Sequence, residues 1–173
     1  GADTTEIELP APPPSSATGS GLEQPVQFSS QDSLVIFFDE QRGDSSTLFG
    51  NARVQYDDAT LTAHQIAILQ EIDELRAQGT PSDTGLVGRP EFQQGAEGFS
   101  GDRLAFNLRT ERGRVVGAQT AMDEGYIRAD VVKITEDSTI YAQGGLYTTC
   151  ECIEDPSYSL HANRMKIVDQ EWV

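Results

Sequence analysis

Four eight-residue segments of this chain share one template: LTAHQIAI (61–68), FSGDRLAF (99–106), IRADVVKI (127–134) and LHANRMKI (160–167). Each reads apolar, any, Ala or Gly, polar, any, apolar, any, apolar. Positions one and three have one parity; positions six and eight have the other. Side chains alternate between the two faces of a strand, so one buried face cannot hold both pairs unless the strand bends or bulges between them. The fourth position holds His64, Asp102, Asp130 and Asn163, residue types that suit a bend. The small third residue lets backbones approach closely there. A second pattern, apolar, any, small, three residues, apolar, appears in LFGNARV (48–54), VGAQTAM (116–122) and IYAQGGL (140–146). The two patterns occur in tandem, at 48 and 61, 116 and 127, 140 and 160, which predicts stacked, bent hairpins.

Other segments alternate as half-buried strands do. Val54 and Tyr56 alternate with Arg53 and Gln55; Leu104, Phe106 and Leu108 alternate with Arg103, Asn107 and Arg109. One segment competes. TAHQIAILQEIDELRAQG has Thr62 and Gln65 at capping-box spacing, apolar Ile68, Leu69, Ile72 and Leu75, and Gly79 as a stop, which taken alone favours a helix. The repeat argues for strand over 61–69 and leaves 71–78 open. The expected fold is therefore all-β with no long helix. Its form is a folded-over antiparallel sheet of bent, repeated strands: a jelly roll or a solenoid-like sandwich.

Residues 1–28 read as a flexible linker, because PAPPPSSATGSG offers nothing to bury. The folded domain is expected over 29–173. A loop-like stretch, QGTPSDTGLVGRPEFQQGAEG (78–98), interrupts it. No apolar run reaches the roughly 18 residues of a membrane helix; LVIFF (34–38) is strand-sized.

The formal net charge is −16, with Lys133 and Lys166 as the only lysines. Such a surface repels nucleic acid and does not steer anionic ligands inward. An acidic, lysine-poor surface is similar to those of proteins from salt-accumulating halophiles. No catalytic constellation is visible. His64 falls at a bend and His161 on a strand, both read as solvated. Acidic pairs such as Asp57–Asp58 and Glu154–Asp155 fall in expected turns and read as surface. Neither a metal nor a cofactor is expected. A jelly-roll enzyme acting on sugars would need clustered His/Glu ligands or two facing carboxylates.

The order of LFGNARVQYDDATLTAHQIAI, GRPEF (88–92), FSGDRLAFNLRTERGRV and YTTCECIEDPSYSLHANRMKIV resembles the periplasmic N-terminal domain of LptD, the outer-membrane lipopolysaccharide (LPS) assembly protein. That domain belongs to the OstA-like superfamily shared with LptA and LptC. The resemblance covers roughly 33–173, and its most specific part is TTC followed by Pro156 and Tyr158. It implies a twisted, V-shaped β-jelly roll at the periplasmic face of the outer membrane, with no enzymatic activity. Such a domain receives LPS from an LptA-like bridge and passes it to a C-terminal β-barrel with its LptE-like lipoprotein. The chain stops at VDQEWV, where that barrel would begin. The alternatives are a free-standing LptA-like bridge protein, and a structural module that pairs through its edges without binding lipid. Ser33–Asp39 is the expected edge strand for pairing with a partner.

The resemblance also bears on the only two cysteines. Cys150 occupies the TTC position, whose cysteine can form a disulfide with the barrel; Cys152 departs from the pattern. Strand residues at i and i+2 have Cα atoms about 6.5–7 Å apart, at the limit for a bridge. A local Cys150–Cys152 disulfide would need a kink, and two free thiols remain the other reading. Ser157 stands where many relatives have His. If the chain carries lipid, the inward apolar residues should hold the acyl chains: Val35, Phe37, Val54, Tyr56, Leu61, Ile66, Ile68, Leu104, Phe106, Ile127, Val132, Ile134, Leu160, Met165 and Ile167. Each is equally consistent with simple core packing. The negative charge disfavours phosphorylated lipid A, a repulsion that high salt screens, since the Debye length falls to about 3 Å at 1 M. A grip on the acyl chains is the mechanism consistent with this charge.

Overall fold

The computed structural model describes residues 26–39, 43–83, 85–95, 97–122, 125–137, 139–153 and 155–167. Most of the expected linker lies outside them. The strands, in chain order, are β1 (Gln27–Ser29), β2 (Ser33–Phe37), β3 (Ser45–Tyr56), β4 (Ala59–Leu69), β5 (Glu74–Gln78), β6 (Thr80–Ser82) and β7 (Gly85–Val87). Then come β8 (Glu91–Gln94), β9 (Glu97–Ser100), β10 (Arg103–Asn107), β11 (Arg112–Met122), β12 (Gly125–Ile134), β13 (Ile140–Thr148) and β14 (Leu160–Ile167). A single 3₁₀ turn, Gln70–Ile72, is the one helical element among the described residues.

The helix-like segment at 62–79 is thus two strands, β4 and β5, folded back at Asp73, whose φ is +51°. Folding back lets Ile66 pair with Ala77 and Ile68 with Leu75 on the same face. A helix would present those residues as one stripe; the hairpin buries them between neighbouring strands instead.

Twelve strands form one antiparallel sheet, whose main path runs β1-β3-β4-β5-β10-β11-β12-β13-β14. A second path bridges the middle: β4 pairs with β8, β8 with β9, and β9 with β11. Strands β6 and β7 form a separate small hairpin. At the two edges, β2 pairs with β3, and β14 pairs with β13.

The four repeats lie on β4, β9–β10, β12 and β14, and their midpoints break the pairing. Register skips Gly117 and Asp130 between β11 and β12, Asp130 and Gly144 between β12 and β13, and Gly144 and Asn163 between β13 and β14. Between β3 and β4, Gly50 and Asn51 together oppose His64, a bulge. These breaks align into a bend line that crosses the sheet. The second sequence pattern marks the right strands in the wrong phase: the bend residues Gly50, Gly117 and Gly144 occupy its third, second and fifth positions.

The bend folds one arm of the sheet over the other, and both arms share one core. Leu48, Ile66, Leu75, Ala77, Leu104 and Val115 come from one arm; Ala52, Val54, Leu61, Ala63 and Ala118 come from the other. Phe92 and Phe99, stacked with ring centroids 5.1 Å apart, pack against this core from β8 and β9. The small third residue of the template has a clear cause. Ala63 and Ala129 are buried where the arms converge, and a Cβ on Gly101 would meet Val115 Cγ1 at 2.5 Å.

Candidate functional site

Directly paired residues on neighbouring strands point to the same face. One such row reads Leu34, Leu48, Ile66, Ala77, Leu104, Val115, Val132, Ala142 and Met165, from β2 to β14. The next row toward the strand ends reads Ile36, Ser46, Ile68, Leu75, Phe106, Gly113, Ile134, Ile140 and Ile167. Beyond the bend, Val54, Leu61, Phe92 and Phe99 lead to Thr120, Ile127, Tyr147 and Leu160. None of these three rows contains a charged residue. Together they make a charge-free inner face, apolar except at Ser46 and Thr120, from one sheet edge to the other.

Its burial is graded. The inner face is closed in the middle, where Leu48, Ile66, Leu75, Leu104 and Val115 are buried. It opens toward β12–β14, where Ile127, Val132, Ile134, Tyr147 and Met165 are half-buried and Leu160 is 68% exposed. It opens again at β2, where Leu34 is 53% and Ile36 48% exposed. Glycines make room on this face. A Cβ on Gly125 would overlap the Tyr147 ring, and one on Gly145 would overlap the end of Met165.

Of the fifteen residues expected to face inward, Val54, Tyr56, Leu61, Ile66, Ile68, Leu104, Phe106, Ile127, Val132, Ile134, Leu160, Met165 and Ile167 have inner-face register positions. Val35 and Phe37 do not. They pair with Thr47 and Ser45, on the opposite face, while Leu34 and Ile36 take the inner one. Sequence could not decide this, because LVIFF is apolar at every position. Also unforeseen were Leu48, Leu75 and Val115, of which only Leu75 has polar residues on both sides in its strand, and the aromatic pair Phe92 and Phe99.

The bend line is polar on its outer side. Arg89 Nη2 lies 2.9 Å from Asp102 Oδ1 and donates to the Gly117 carbonyl at 3.2 Å. Asp102 N–H donates to the Val116 carbonyl at 2.8 Å, and His64 N–H to the Gly88 carbonyl at 2.8 Å. A concavity of about 700 Å³ beside this line is bordered by Gln31, Asn51, Arg53, Thr62 and Arg89. Its border also includes the apolar residues Ala63 and Leu86.

After β13 the chain turns sharply through the cysteine segment. Thr148 is fully buried; its hydroxyl donates to the Tyr158 carbonyl at 2.8 Å and accepts from Cys150 N–H at 3.0 Å. Cys150 and Cys152 are free thiols, Cys150 half-buried and Cys152 exposed. The Thr148 hydroxyl, the Tyr158 N–H and then the Ser157 groups hold the Cys150 thiol below its ordinary pKa, against a smaller opposing effect of desolvation. The hydroxyl has one proton, so it leaves the Tyr158 carbonyl when it turns to a Cys150 thiolate. His161 is exposed on β14, with Nε2 2.8 Å from Ser159 Oγ. Among the described residues, no three His, Cys, Asp or Glu side chains are grouped to hold a metal.

No family profile matches this sequence, and no curated protein matches it. The fold is found in LptH of Pseudomonas aeruginosa, the LptA-homologous periplasmic component of its lipopolysaccharide transport device. The two superpose with a TM-score of 0.56 at 13% identity, covering 88% of this chain and 100% of LptH.

Proposed function

We propose that this chain is a non-enzymatic lipopolysaccharide transport module of the periplasm, holding acyl chains on its inner face. The observation that carries this reading is the charge-free apolar face that spans the sheet and stays half-open at both edges. At its two ends Leu34, Ile36 and Leu160 remain exposed, where lipid can reach them. Acyl chains entering at β12–β14 would part the arms and replace contacts between side chains with contacts to lipid. Each fully covered side chain then contributes on the order of 1.5–3 kcal/mol. The phosphorylated headgroup stays outside, in solvent and counterions.

Two placements fit this chemistry. Among the described residues no strand pairs with the outer sides of β2 and β14, so a jelly-roll bridge protein can add to either by strand pairing. In the first placement the domain precedes an outer-membrane barrel with its LptE-like lipoprotein and receives LPS at the periplasmic face of that membrane. The TTC…Pro156-x-Tyr158 segment favours this placement. In the second it is itself an LptA-like bridge, which the superposition over the whole of LptH favours.

The test is co-fractionation of the purified chain with LPS on a density gradient at high salt. Wild type should carry LPS, and a Leu160→Asp, Met165→Asp double variant should carry little. Equal co-fractionation by both folded proteins would refute the groove. Strand pairing without any lipid would identify a structural module.

A further inference from the structure

Strands β10–β14 carry Asp130 as their only carboxylate among the residues whose side chains are described, in a chain of formal net charge −16. Their cations are many, and register puts them on the outer, convex face. Arg114, Lys133, Tyr141 and Lys166 are directly paired across β11–β14. Arg103 and Arg164 lie in the adjacent row, paired through Val116, Val131 and Gln143. Arg128 follows beyond the bend, paired with Leu146. Arg76 and Arg112, at the margin, are matched to Glu74 and Glu136. The six others have no ion-pair partner within 4 Å among the described residues, and all but the half-buried Arg128 are exposed. Tyr141, 44% exposed, sits among them with Lys166 Nζ 5.7 Å from its ring centroid.

We propose that this convex face docks on an anionic phospholipid surface, leaving the inner face turned away from it. Charge complementarity identifies the partner. The patch is an array of cations without ion-pair partners among the described residues, around a half-exposed tyrosine, a side chain that prefers the headgroup level. Among its described residues there is no fully buried aromatic or arginine anchor, which a specific protein interface would place at its centre. A fluid array of phosphates needs neither, because each cation near the surface contributes additively. The carboxylates elsewhere on the molecule do not cancel this attraction, since the Debye length is about 8 Å at physiological salt. The inference is independent of whether the inner face carries lipid.

Vesicle co-sedimentation tests it, using phosphatidylcholine with and without about one third phosphatidylglycerol. The chain should bind only the anionic vesicles, and rising salt should release it. A Lys133→Ala, Arg164→Ala, Lys166→Ala variant, confirmed as folded by circular dichroism, should bind roughly a hundredfold more weakly. Arg53→Ala, which removes an exposed cation on β3 outside the patch, should bind as wild type does. Three results would each overturn the proposal: no binding to anionic vesicles at low salt, undiminished binding by the triple variant, or equal binding to phosphatidylcholine alone. Capture of an acidic protein by the patch without vesicle binding would also overturn it.

Discussion

The Asp102 carboxylate occupies the space where Gly117 would carry a side chain. Gly117 has φ +63°, and the same arrangement recurs between Asp130 and Gly144 at φ +64°. The bend therefore depends on a pair of residue types in adjacent segments of the sheet: a short carboxylate at the break in one and a left-handed glycine in the next. Alanine at Gly117 meets two costs, about 1–2 kcal/mol for the left-handed backbone and more for the overlap with Asp102. Gly117→Ala should lose about 2–3 kcal/mol in urea unfolding. In an Asp102→Ala background the same substitution should cost only the backbone part. An equal cost in both backgrounds would remove the carboxylate from the account.

Arg89 ties the β7–β8 connection to this bend through Asp102 and the Gly117 carbonyl. Both side chains are partly exposed, so the ion pair is a modest one. A double-mutant cycle on Arg89→Ala and Asp102→Ala should give a coupling of about 1 kcal/mol, shrinking with added salt. A coupling near zero would show that Arg89 acts only through the backbone carbonyl.

Cys150 should form its thiolate at lower pH than an ordinary cysteine. Donors from Thr148, Tyr158 and Ser157 favour its thiolate, and the thiolate is the nucleophile. In a Cys152→Ser background, the pH–rate profile of alkylation should have its midpoint below the ordinary cysteine value. Thr148→Val should move that midpoint up. An unmoved midpoint would show that the Thr148 hydroxyl stays committed to the Tyr158 carbonyl.

Asp137 holds the β12–β13 turn. The Thr135 hydroxyl donates to Oδ1 and the Thr139 hydroxyl to Oδ2, at 2.5 and 3.0 Å, and these bonds lower its pKa. A depressed folded-state pKa gives stability that is present above the unfolded value and lost as pH falls through the folded one. Asp137→Asn should therefore narrow its stability gap from wild type only below the usual carboxylate range. Thermal unfolding from neutral to acid pH measures this; a gap that stays constant would contradict it.

The bend was legible in the sequence because it reverses parity inside each repeat, and a parity reversal has few physical causes. Ala63 and Ile66 share the core across His64 because of it. The strand after Gln70 was not legible: residues 71–78 suit a helix locally, and only pairing with β4 and β10 decides otherwise. The facing of Val35 and Phe37 was not legible for a related reason. An edge strand apolar at every position carries no alternation, so its facing is set by its β3 partners Leu48 and Ser46. The convex cations were visible as residues but not as a patch, since they come together only through the pairing of five strands.

Lipid on the inner face can be caught by site-specific photocrosslinking to LPS. Met165 lies on the inner face at the open edge, while Gln143 is exposed on the outer face of the neighbouring strand. Asn107 is unsuitable as an outer position, because its side chain donates to the Ile72 carbonyl and accepts from Arg109 and Thr110 N–H. A photoreactive residue at 165 should label LPS at high salt, and one at 143 should not. Equal labelling at both positions, or labelling only at 143, would contradict the groove.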